Sequence, residues 1–154
     1  MVQRSLFSSA TPEWGPPQWL FDCLNREFGF TLDPCSTHDN AKCQNHFTLE
    51  DDGLSHDWSN QVVFMNPPYG REISKWMHKA FESAQHGSTV VCLVPARTDA
   101  KWWHDYCMRG GAEIRLLRGR IRFEGGKHSA PFPSAVVVMR PPSHCIVSVD
   151  LRKV

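Results

Sequence analysis

The sequence predicts a single α/β domain whose sheet is mostly parallel and is closed near the C-terminus by an antiparallel strand pair. Two observations support this prediction. In the middle of the chain, residues 61–65 and 89–94 have buried-strand patterns that are each followed by a helical pattern, which is typical of parallel strands with helices on the sheet faces. Later, residues 112–123 and 135–139 have strand patterns with no helix between them, so these two strands are expected to be antiparallel.

The N-terminal part of the chain predicts one helix and one short strand. Pro16-Pro17 favours a helix start and Gly29 favours a helix stop, and the apolar residues between them recur at helical spacing. Residues 30–32 are a strand candidate. This strand is expected to end at Asp33, because Asp33 precedes a proline and such a pair breaks regular structure.

The middle of the chain predicts loops, a second helix and a short third helix. Residues 35–60 are polar and irregular, which indicates loops around a site. Apolar residues from Ile73 to Ala84 then repeat at helical spacing, and Gly87 is expected to end that helix. After the second buried strand, a short aromatic helix is predicted to begin near Asp99.

The composition excludes a disordered chain and a membrane span. Hydrophobic residues make up 41% of the chain and charged residues 21%, which suits a packed globule. No run approaches the roughly 20 apolar residues that cross a bilayer, so a cytoplasmic protein is expected. We expect one domain over residues 1–154, in which residues 1–10 and 144–154 are tails.

The formal net charge of +1 hides a division between the two halves of the chain. Residues 1–96 hold six Lys and Arg against eleven Asp and Glu, and residues 97–154 hold eleven against five, so the net charges are −5 and +6. This division would allow one half to bind a cationic cofactor and the other a polyanion. An uneven solvated surface is the alternative interpretation.

The most informative feature is Asn66-Pro67-Pro68-Tyr69, which follows a buried strand and precedes a helix. Such a junction is the carboxyl end of a strand, where open α/β sheets bind ligands. The Asn66 side-chain oxygen and the Pro67 carbonyl can accept hydrogen bonds from an amino group on a heteroaromatic ring and aim its lone pair at an electrophilic methyl group. Tyr69 offers a face on which a base can stack. The motif therefore predicts catalysis by orientation and electrostatics, and a proline-stiffened turn that caps a helix is the structural alternative.

The sequence resembles the phage-type N6-adenine DNA methyltransferases, a group within the amino-methyltransferases that have an Asn/Asp-Pro-Pro-Tyr motif. Further matching segments occur in order along most of the chain: Thr11-Pro12, Phe30-Thr31-Leu32-Asp33, Asn40-Ala41-Lys42-Cys43, Glu50-Asp51-Asp52-Gly53-Leu54, Pro95-Ala96-Arg97-Thr98-Asp99 and Ala130-Pro131-Phe132-Pro133-Ser134-Ala135. The resemblance implies an abridged Rossmann-like class I methyltransferase that transfers a methyl group from S-adenosylmethionine to adenine N6 in DNA, in the cytoplasm of a bacterial host.

The resemblance also implies where the cofactor binds. Thr11 and Pro12 look like the element that contacts the methionine end of the cofactor. Asp33 matches the acidic position at the end of the first strand. Asp52, with Leu54 behind it, is similar to the acid that reads the adenine amino group of the cofactor.

Charge adds Asp51 to these candidates, and two departures from the family pattern limit the assignment. Clustered carboxylates attract a sulfonium cation, although a turn residue is the alternative for Asp51.

The glycine-rich turn common after the first strand is absent, since residues 34–36 are Pro-Cys-Ser. Only 32 residues separate Asp33 from Asn66, so the sheet is expected to be abridged and the acid that binds the ribose is not assigned.

Arginines late in the chain are the candidates for DNA contact. Arg118, Arg120 and Arg122 alternate along a predicted strand, so they would share a face that can follow a phosphate backbone. Arg97 is a further candidate. An edge strand protected by charge is the alternative. No separate target-recognition domain is evident, so sequence specificity is expected to be short or weak.

Two other functions stay open at this point. Cys35, His38, Cys43 and His46 have a spacing that resembles a small zinc site, which would make the chain a zinc-stabilised nucleic-acid-binding module. Alternatively, the enzyme could methylate an amino group in RNA or protein. The basic later half favours nucleic acid over protein but does not distinguish DNA from RNA. The main prediction includes no metal, and the sequence does not indicate the oligomeric state.

Overall fold

The computed structural model describes residues 15–143. The predicted tails, residues 1–10 and 144–154, lie outside the described residues, and so do the predicted cofactor contacts Thr11 and Pro12. Among the helices of residues 15–143, none is both long enough and apolar enough to cross a membrane.

The helices and strands follow the predicted order closely. They are α1 (Gln18–Phe28), a 3-10 turn (Gly53–Ser55), β1 (Val62–Met65), α2 (Ile73–Gln85), β2 (Thr89–Pro95), a π-helix (Trp103–Met108), β3 (Glu113–Leu116) and β4 (Ser134–Met139). α1 ends where predicted, because Gly29 adopts the left-handed conformation and its N–H donates to the Asn25 carbonyl. α2 likewise stops just before Gly87, which has φ of 100°.

The sheet is mixed, which corrects the prediction of a mostly parallel sheet. The strand order is β1-β2-β4-β3; β1 and β2 are parallel, whereas β4 is antiparallel to both β2 and β3. The predicted antiparallel pair of β3 and β4 is confirmed. All six residues of β4 are buried, so β4 takes an inner position beside β2, while the partly exposed β3 lies at the edge.

The strand predicted before Asp33 is reduced to a single bridge. Leu32 pairs with Val63 in the parallel direction. The chain then turns away from β1, because the buried Asp33 carboxylate accepts hydrogen bonds from the backbone N–H groups of Cys35 and Lys42. These bonds satisfy the carboxylate and hold the following loop close to its own start.

β3 ends at Leu116, so the candidate DNA contacts lie beyond it in a loop, the arginine segment (residues 117–130). This placement corrects the prediction that they share a strand pair. The residues concerned are Arg118, Arg120 and Arg122. Gly119, with φ of 83°, interrupts the extended backbone. The alternation nevertheless persists, since Ile121 and Phe123 are buried and the three arginines are exposed.

The aromatic helix predicted near Asp99 begins later and is a π-helix. The Ala100 N–H first donates to the Arg97 carbonyl, so the chain makes a turn before the helix. Trp103 and Cys107 then face the core.

The core lies on both faces of the sheet, because successive strand residues point to opposite sides. Val63 and Met65 of β1 pack on the α2 side, where Met77 is fully buried. Phe64 packs on the other side against Phe21 of α1, with ring centroids 5.2 Å apart. The carboxyl end of β1 is therefore anchored from both sides, which gives the loop that follows it a rigid support.

Candidate active site

The Asn66-Pro67-Pro68-Tyr69 loop connects β1 to the start of α2, as predicted. Asn66 is only 6% exposed. The Tyr69 hydroxyl lies 2.9 Å from Asn66 Oδ1 and 3.2 Å from the Leu93 carbonyl oxygen of β2. Because a hydroxyl has one hydrogen, it donates fully to one of these acceptors at a time. The Tyr69 hydroxyl thus braces the Asn66 amide against β2.

The Tyr69 ring packs against two aromatic rings from the later part of the chain. Its centroid is 6.2 Å from that of Phe123 and 5.4 Å from that of Phe132, both in edge-on geometry. Burial raises the pKa of the Tyr69 hydroxyl above its usual value, so the phenol stays neutral at physiological pH. The arginine segment is therefore in direct contact with the predicted catalytic loop through Phe123.

Cys35 connects this loop to the chain that follows Asp33. Its Sγ donates to the Asn66 carbonyl oxygen at 3.2 Å. Burial, together with the nearby Asp33 carboxylate, raises the pKa of the Cys35 thiol well above its usual value. A neutral thiol, a neutral phenol and an amide are all poor proton acceptors. The arrangement therefore suits catalysis by orientation and electrostatics better than general-base catalysis.

One side of the loop borders a cleft that we call the Asp52 cleft. Segments 34–37, 48–49 and 52–53 form its walls, together with Pro68 and Trp76. Its enclosed volume is about 70 Å³. Sites that enclose a whole small molecule measure about 300–1,000 Å³. A cleft of this size would enclose only part of a small-molecule ligand.

Gly53 allows the two walls of the Asp52 cleft to approach each other. A Cβ at this position would overlap the Pro34 carbonyl oxygen and lie 3.3 Å from the Trp76 ring. The Gly53 carbonyl accepts a buried hydrogen bond of 2.9 Å from the Trp58 indole N–H, which holds the turn in place. The sequence indicated a turn at Gly53, and the structure shows that close approach requires the glycine.

We expect Gly53→Ala to lower the free energy of unfolding by about 1–3 kcal/mol, the usual cost of overpacking. Because the resemblance implies that Asp52 contacts the cofactor, we also expect this variant to weaken cofactor binding by forcing the walls apart. Thermal denaturation and calorimetry with S-adenosylmethionine would measure the two effects. Gly29→Ala is the matched control, because Gly29 has a positive φ but no neighbour near its Cβ position. It should lose stability and keep cofactor affinity. Unchanged cofactor affinity in Gly53→Ala would contradict the prediction.

Asp52 is exposed and lines the Asp52 cleft. Its φ is 53°, in the left-handed region that Asp tolerates better than most residues. The Ser55 N–H and hydroxyl both donate to the Asp52 carbonyl and hold this conformation. Leu54, predicted to lie behind Asp52, is half-buried against the core. The carboxylate is thus presented from a fixed turn.

The other two predicted cofactor acids organise loops, and neither lines the Asp52 cleft. Burial raises the pKa of the Asp33 carboxyl, which is 4% exposed. The Asp51 carboxylate accepts hydrogen bonds of 2.8 and 2.9 Å from the Thr48 N–H and hydroxyl, and these bonds lower its pKa. This is the turn role that the sequence left open for Asp51. The turn presents Leu49 to the cleft.

The other side of the catalytic loop borders a second cavity, which we call the Tyr69 cavity. Its volume is about 280 Å³, close to the lower end of the range for small-molecule sites. Tyr69, Ile73 and Trp102 contribute apolar walls, and the exposed side chains of Arg97 and Asp99 add charge. Apolar walls with a few charged groups suit a flat heteroaromatic ring.

The predicted DNA contacts are brought to this region in different ways. Arg97 lines the Tyr69 cavity. The other three arginines are exposed on the arginine segment, which also contains Phe123. Arg115 of β3 is engaged elsewhere, since its guanidinium pairs with Glu27 at 2.6 Å and with Glu113 at 2.5 Å. The alternative interpretation, an edge strand protected by charge, therefore applies to Arg115 of β3. It does not apply to the arginine segment, which lies beyond that strand.

The four residues of the zinc alternative do not converge. Cys35 directs its Sγ to the Asn66 carbonyl, and Cys43 packs against the core on the α1 side. His38 Nδ1 and His46 Nε2 lie 2.9 Å apart and hydrogen-bond to each other. Within residues 15–143, no three His, Cys, Asp or Glu side chains are grouped so as to hold a metal ion. The geometry therefore does not support a zinc site in this part of the chain.

Most residues that line the Asp52 cleft were not predicted as site residues from the sequence, among them Ser36, Leu49 and Trp76. Leu49 is 85% exposed, and an isolated leucine in a polar loop was a signal that could have indicated it. The Ser36 hydroxyl is buried beside the Asp33 carboxylate. No sequence pattern indicated that Ser36 or Trp76 lines a cleft. Trp76 fits the apolar stripe of α2, which predicts only that it is buried.

The position of the Asn66-Pro67-Pro68-Tyr69 loop at the carboxyl end of β1 is the one expected for the methyltransferases that have an Asn/Asp-Pro-Pro-Tyr motif. The family model of the DNA N-6-adenine-methyltransferases (Dam) matches residues 4–152. The chain therefore belongs to this family. The prediction of an adenine-N6 DNA methyltransferase is confirmed, and the family assigns DNA as the substrate in place of RNA or protein.

Two phage proteins and one solved structure illustrate the similarity. A DNA N-6-adenine-methyltransferase of Haemophilus phage HP1 is 34% identical over 126 residues, which cover 80% of this chain and 72% of that protein. A DNA N-6-adenine-methyltransferase of Escherichia phage T1 is 28% identical over 103 residues, 66% of this chain and 42% of that protein. A crystal structure of a proposed RNA methyltransferase from Pyrococcus horikoshii superposes with a TM-score of 0.52 at 13% identity, over 80% of this chain and 81% of that one. This last likeness concerns the fold alone, and it confirms the methyltransferase-like architecture.

Proposed function

We propose that the methyl donor is S-adenosylmethionine bound in the Asp52 cleft, and that the adenine to be methylated enters the Tyr69 cavity. One observation carries this proposal: Pro68 lines the Asp52 cleft, and the next residue, Tyr69, lines the cavity on the other side. A donor and an acceptor bound in these two places would meet at the catalytic loop. Holding two reactants in this way removes much of the entropic cost of their encounter.

The residues of the Asp52 cleft fit S-adenosylmethionine, which supplies an electrophilic methyl group on a sulfonium centre. Leu49 and Trp76 offer apolar surface to the adenine ring of the cofactor. The Asp52 carboxylate can accept a hydrogen bond from the amino group of that ring. The net charge of the first half also favours a cation.

The acceptor amine is oriented by the loop itself. An amino group on a purine is a poor nucleophile, because its lone pair is delocalised into the ring. Asn66 Oδ1 and the Pro67 carbonyl are the proposed acceptors for its two N–H bonds, an arrangement that favours tetrahedral geometry at nitrogen. The Tyr69 hydroxyl can donate to the Leu93 carbonyl in place of Asn66 Oδ1, and the substrate amine would then donate to Asn66 Oδ1 instead. The proton released from the methylated amine goes to water, since the neighbouring thiol and phenol stay neutral.

The proposed DNA track runs along the exposed side of the arginine segment to Arg97 at the Tyr69 cavity. Phe123 of this segment touches the Tyr69 ring, so phosphates held by the neighbouring arginines would lie close to an extruded base. The later half of the chain supplies the positive charge that a polyanion requires.

Digestion of treated DNA to nucleosides tests the reaction directly. DNA lacking the modification would be incubated with the protein and S-adenosylmethionine, and the nucleosides separated and weighed by mass spectrometry. N6-methyldeoxyadenosine should appear only when both protein and cofactor are present. A methylated deoxycytidine as the main product would contradict the proposed adenine site.

We expect Asp52→Ala and Asp33→Ala each to weaken S-adenosylmethionine binding, but for different reasons. The Asp52→Ala variant would lose the proposed hydrogen bond from the cofactor to the Asp52 carboxylate. The Asp33→Ala variant would lose the hydrogen bonds from the Cys35 and Lys42 N–H groups that hold the loop after residue 33. This variant should therefore also unfold at a lower temperature. Calorimetry and thermal denaturation would separate the two.

Asp52→Asn is the matched control for this pair, because Asn also tolerates a positive φ and removes only the charge. It should bind the cofactor more weakly than the parent protein and unfold at a similar temperature. If Asp52→Ala and Asp33→Ala both bind as tightly as the parent, the cofactor lies elsewhere.

A further inference from the structure

Lys42, from the Asn40-Ala41-Lys42-Cys43 segment, has no role in the proposed function, yet its side chain is largely buried. The Lys42 side chain is 6% exposed. Its Nζ donates to Gln18 Oε1 of α1 at 2.8 Å and to Glu124 Oε2 of the arginine segment at 3.2 Å. Burying an ammonium is costly unless it is paired and hydrogen-bonded, so these partners determine where Lys42 lies.

The backbone of Lys42 is hydrogen-bonded to Asp33, the residue at the start of the loop that lines the Asp52 cleft. Its backbone N–H donates to Asp33 Oδ2 at 3.0 Å. Lys42 thus joins three parts of the chain that are distant in sequence: the loop after Asp33, the start of α1 and the arginine segment.

Glu124 transmits this contact to the catalytic loop. Its N–H donates to the Gly15 carbonyl at 2.8 Å, so backbone and side chain are both anchored. Glu124 directly follows Phe123, whose ring packs against Tyr69, and Arg122 precedes Phe123. The position of Glu124 therefore sets the position of one aromatic contact and one candidate DNA contact.

We propose that Lys42 is a positioning residue for DNA binding: through Glu124, it holds the arginine segment against the catalytic loop. The Lys42 side chain is 6% exposed and its Nζ is already hydrogen-bonded to Gln18 and Glu124, so we expect its effect on DNA to pass through the segment it holds. The inference rests on the proposed use of the arginine segment as the DNA track.

Glu124→Gln tests this inference by the sign of its effect. Glu124 is 45% exposed, so the variant should fold. Removing a negative charge beside a DNA track would by itself strengthen DNA binding. Loss of the ion pair with Lys42 should instead weaken DNA binding by about fivefold, within the usual range for coupled neighbours. DNA dissociation constants and salt slopes would be measured by fluorescence anisotropy, with S-adenosylmethionine affinity expected to stay within about twofold of the parent value.

Two more variants complete the test. Lys42→Met should weaken DNA binding to a similar degree, and combining it with Arg118, Arg120 and Arg122→Gln should cause little further loss, because both changes act on one segment. Lys75→Met is the charge-matched control, since Lys75 is an exposed residue of α2 whose ion pair is with Glu72 on the same surface. It should bind DNA like the parent protein.

The outcomes separate this inference from the proposed function. If the triple arginine variant loses DNA affinity and Glu124→Gln binds as tightly as the parent or more tightly, only the role of Lys42 is overturned. If the triple variant binds normally, the arginine segment is not the DNA track and both statements fail. Weaker binding by Glu124→Gln and Lys42→Met, with little added loss in the combined variant, supports the inference.

Discussion

Replacing Asn66 by Ala should lower the rate of methyl transfer to DNA by about a hundredfold or more, the usual loss when a transition-state contact of this kind is removed. The Asn66 side chain is buried beside Tyr69 and belongs to the loop between the two ligand sites. Its side-chain oxygen is proposed to orient the amine more than to hold the cofactor. S-adenosylmethionine affinity should therefore stay close to the parent value. Single-turnover transfer of a labelled methyl group and calorimetry would measure the two quantities.

Asn66→Asp is the matched variant for this prediction. It keeps an oxygen acceptor at the same position and the contact with the Tyr69 hydroxyl, so it should retain far more activity than Asn66→Ala. The related motifs also accept either residue at this position. Near-normal turnover in Asn66→Ala would remove Asn66 from the mechanism, and equal loss in both variants would mean that the amide N–H₂ matters more than the oxygen.

Replacing Arg118, Arg120 and Arg122 together by Gln should weaken DNA binding and flatten its dependence on salt. Each phosphate contact that is lost should reduce the log–log slope of affinity against salt concentration by about one. The three side chains are exposed on a segment whose buried residues anchor it to the core. Cofactor affinity should be unchanged, because Asp52 and its cleft are left intact. Anisotropy titrations at several salt concentrations would measure the slope.

A control with the same change in charge is Arg26, Lys75 and Lys79→Gln, which alters residues of α1 and α2. In this variant the salt slope of DNA binding should stay close to the parent value, apart from the small change that the lower net charge causes. If the two triple variants behave alike, the arginine segment has no special contact with DNA, and Arg97 at the Tyr69 cavity is the part of the proposed track that remains.

Some predictions from the sequence held because the signals behind them are local. A glycine that follows an apolar helical stripe ends α1, since Gly29 adopts a left-handed conformation that other residues rarely adopt. The catalytic loop lies at the carboxyl end of β1, because prolines stop both strand and helix at that point. Ordered matches to a family pattern then identified the reaction that the family model confirms.

Other predictions were wrong because they depended on which strands pair. The sequence indicated that β3 and β4 are antiparallel, but nothing local showed that β4 lies between β2 and β3, which makes the sheet mixed. The alternating arginines suggested a strand, yet Gly119 interrupts it, and what remains of the alternation is the burial of Ile121 and Phe123. Burial against a core is a property of the folded chain, so periodicity alone could not distinguish a strand from this extended segment.

The sequence by itself determined the reaction class, the position of the Asn66-Pro67-Pro68-Tyr69 loop and the division of charge between the two halves, because each depends on residue identity or on short-range backbone preferences. The tertiary structure alone decided which residues share a site. It joined Ser36, Leu49 and Trp76 in one cleft and left Asp33 outside the lining as a loop anchor. It also brought Lys42 to Glu124, 82 positions away in the chain. Such contacts form when long-range packing closes loops around a common core, and the spacing of residues along a chain contains little information about that closure.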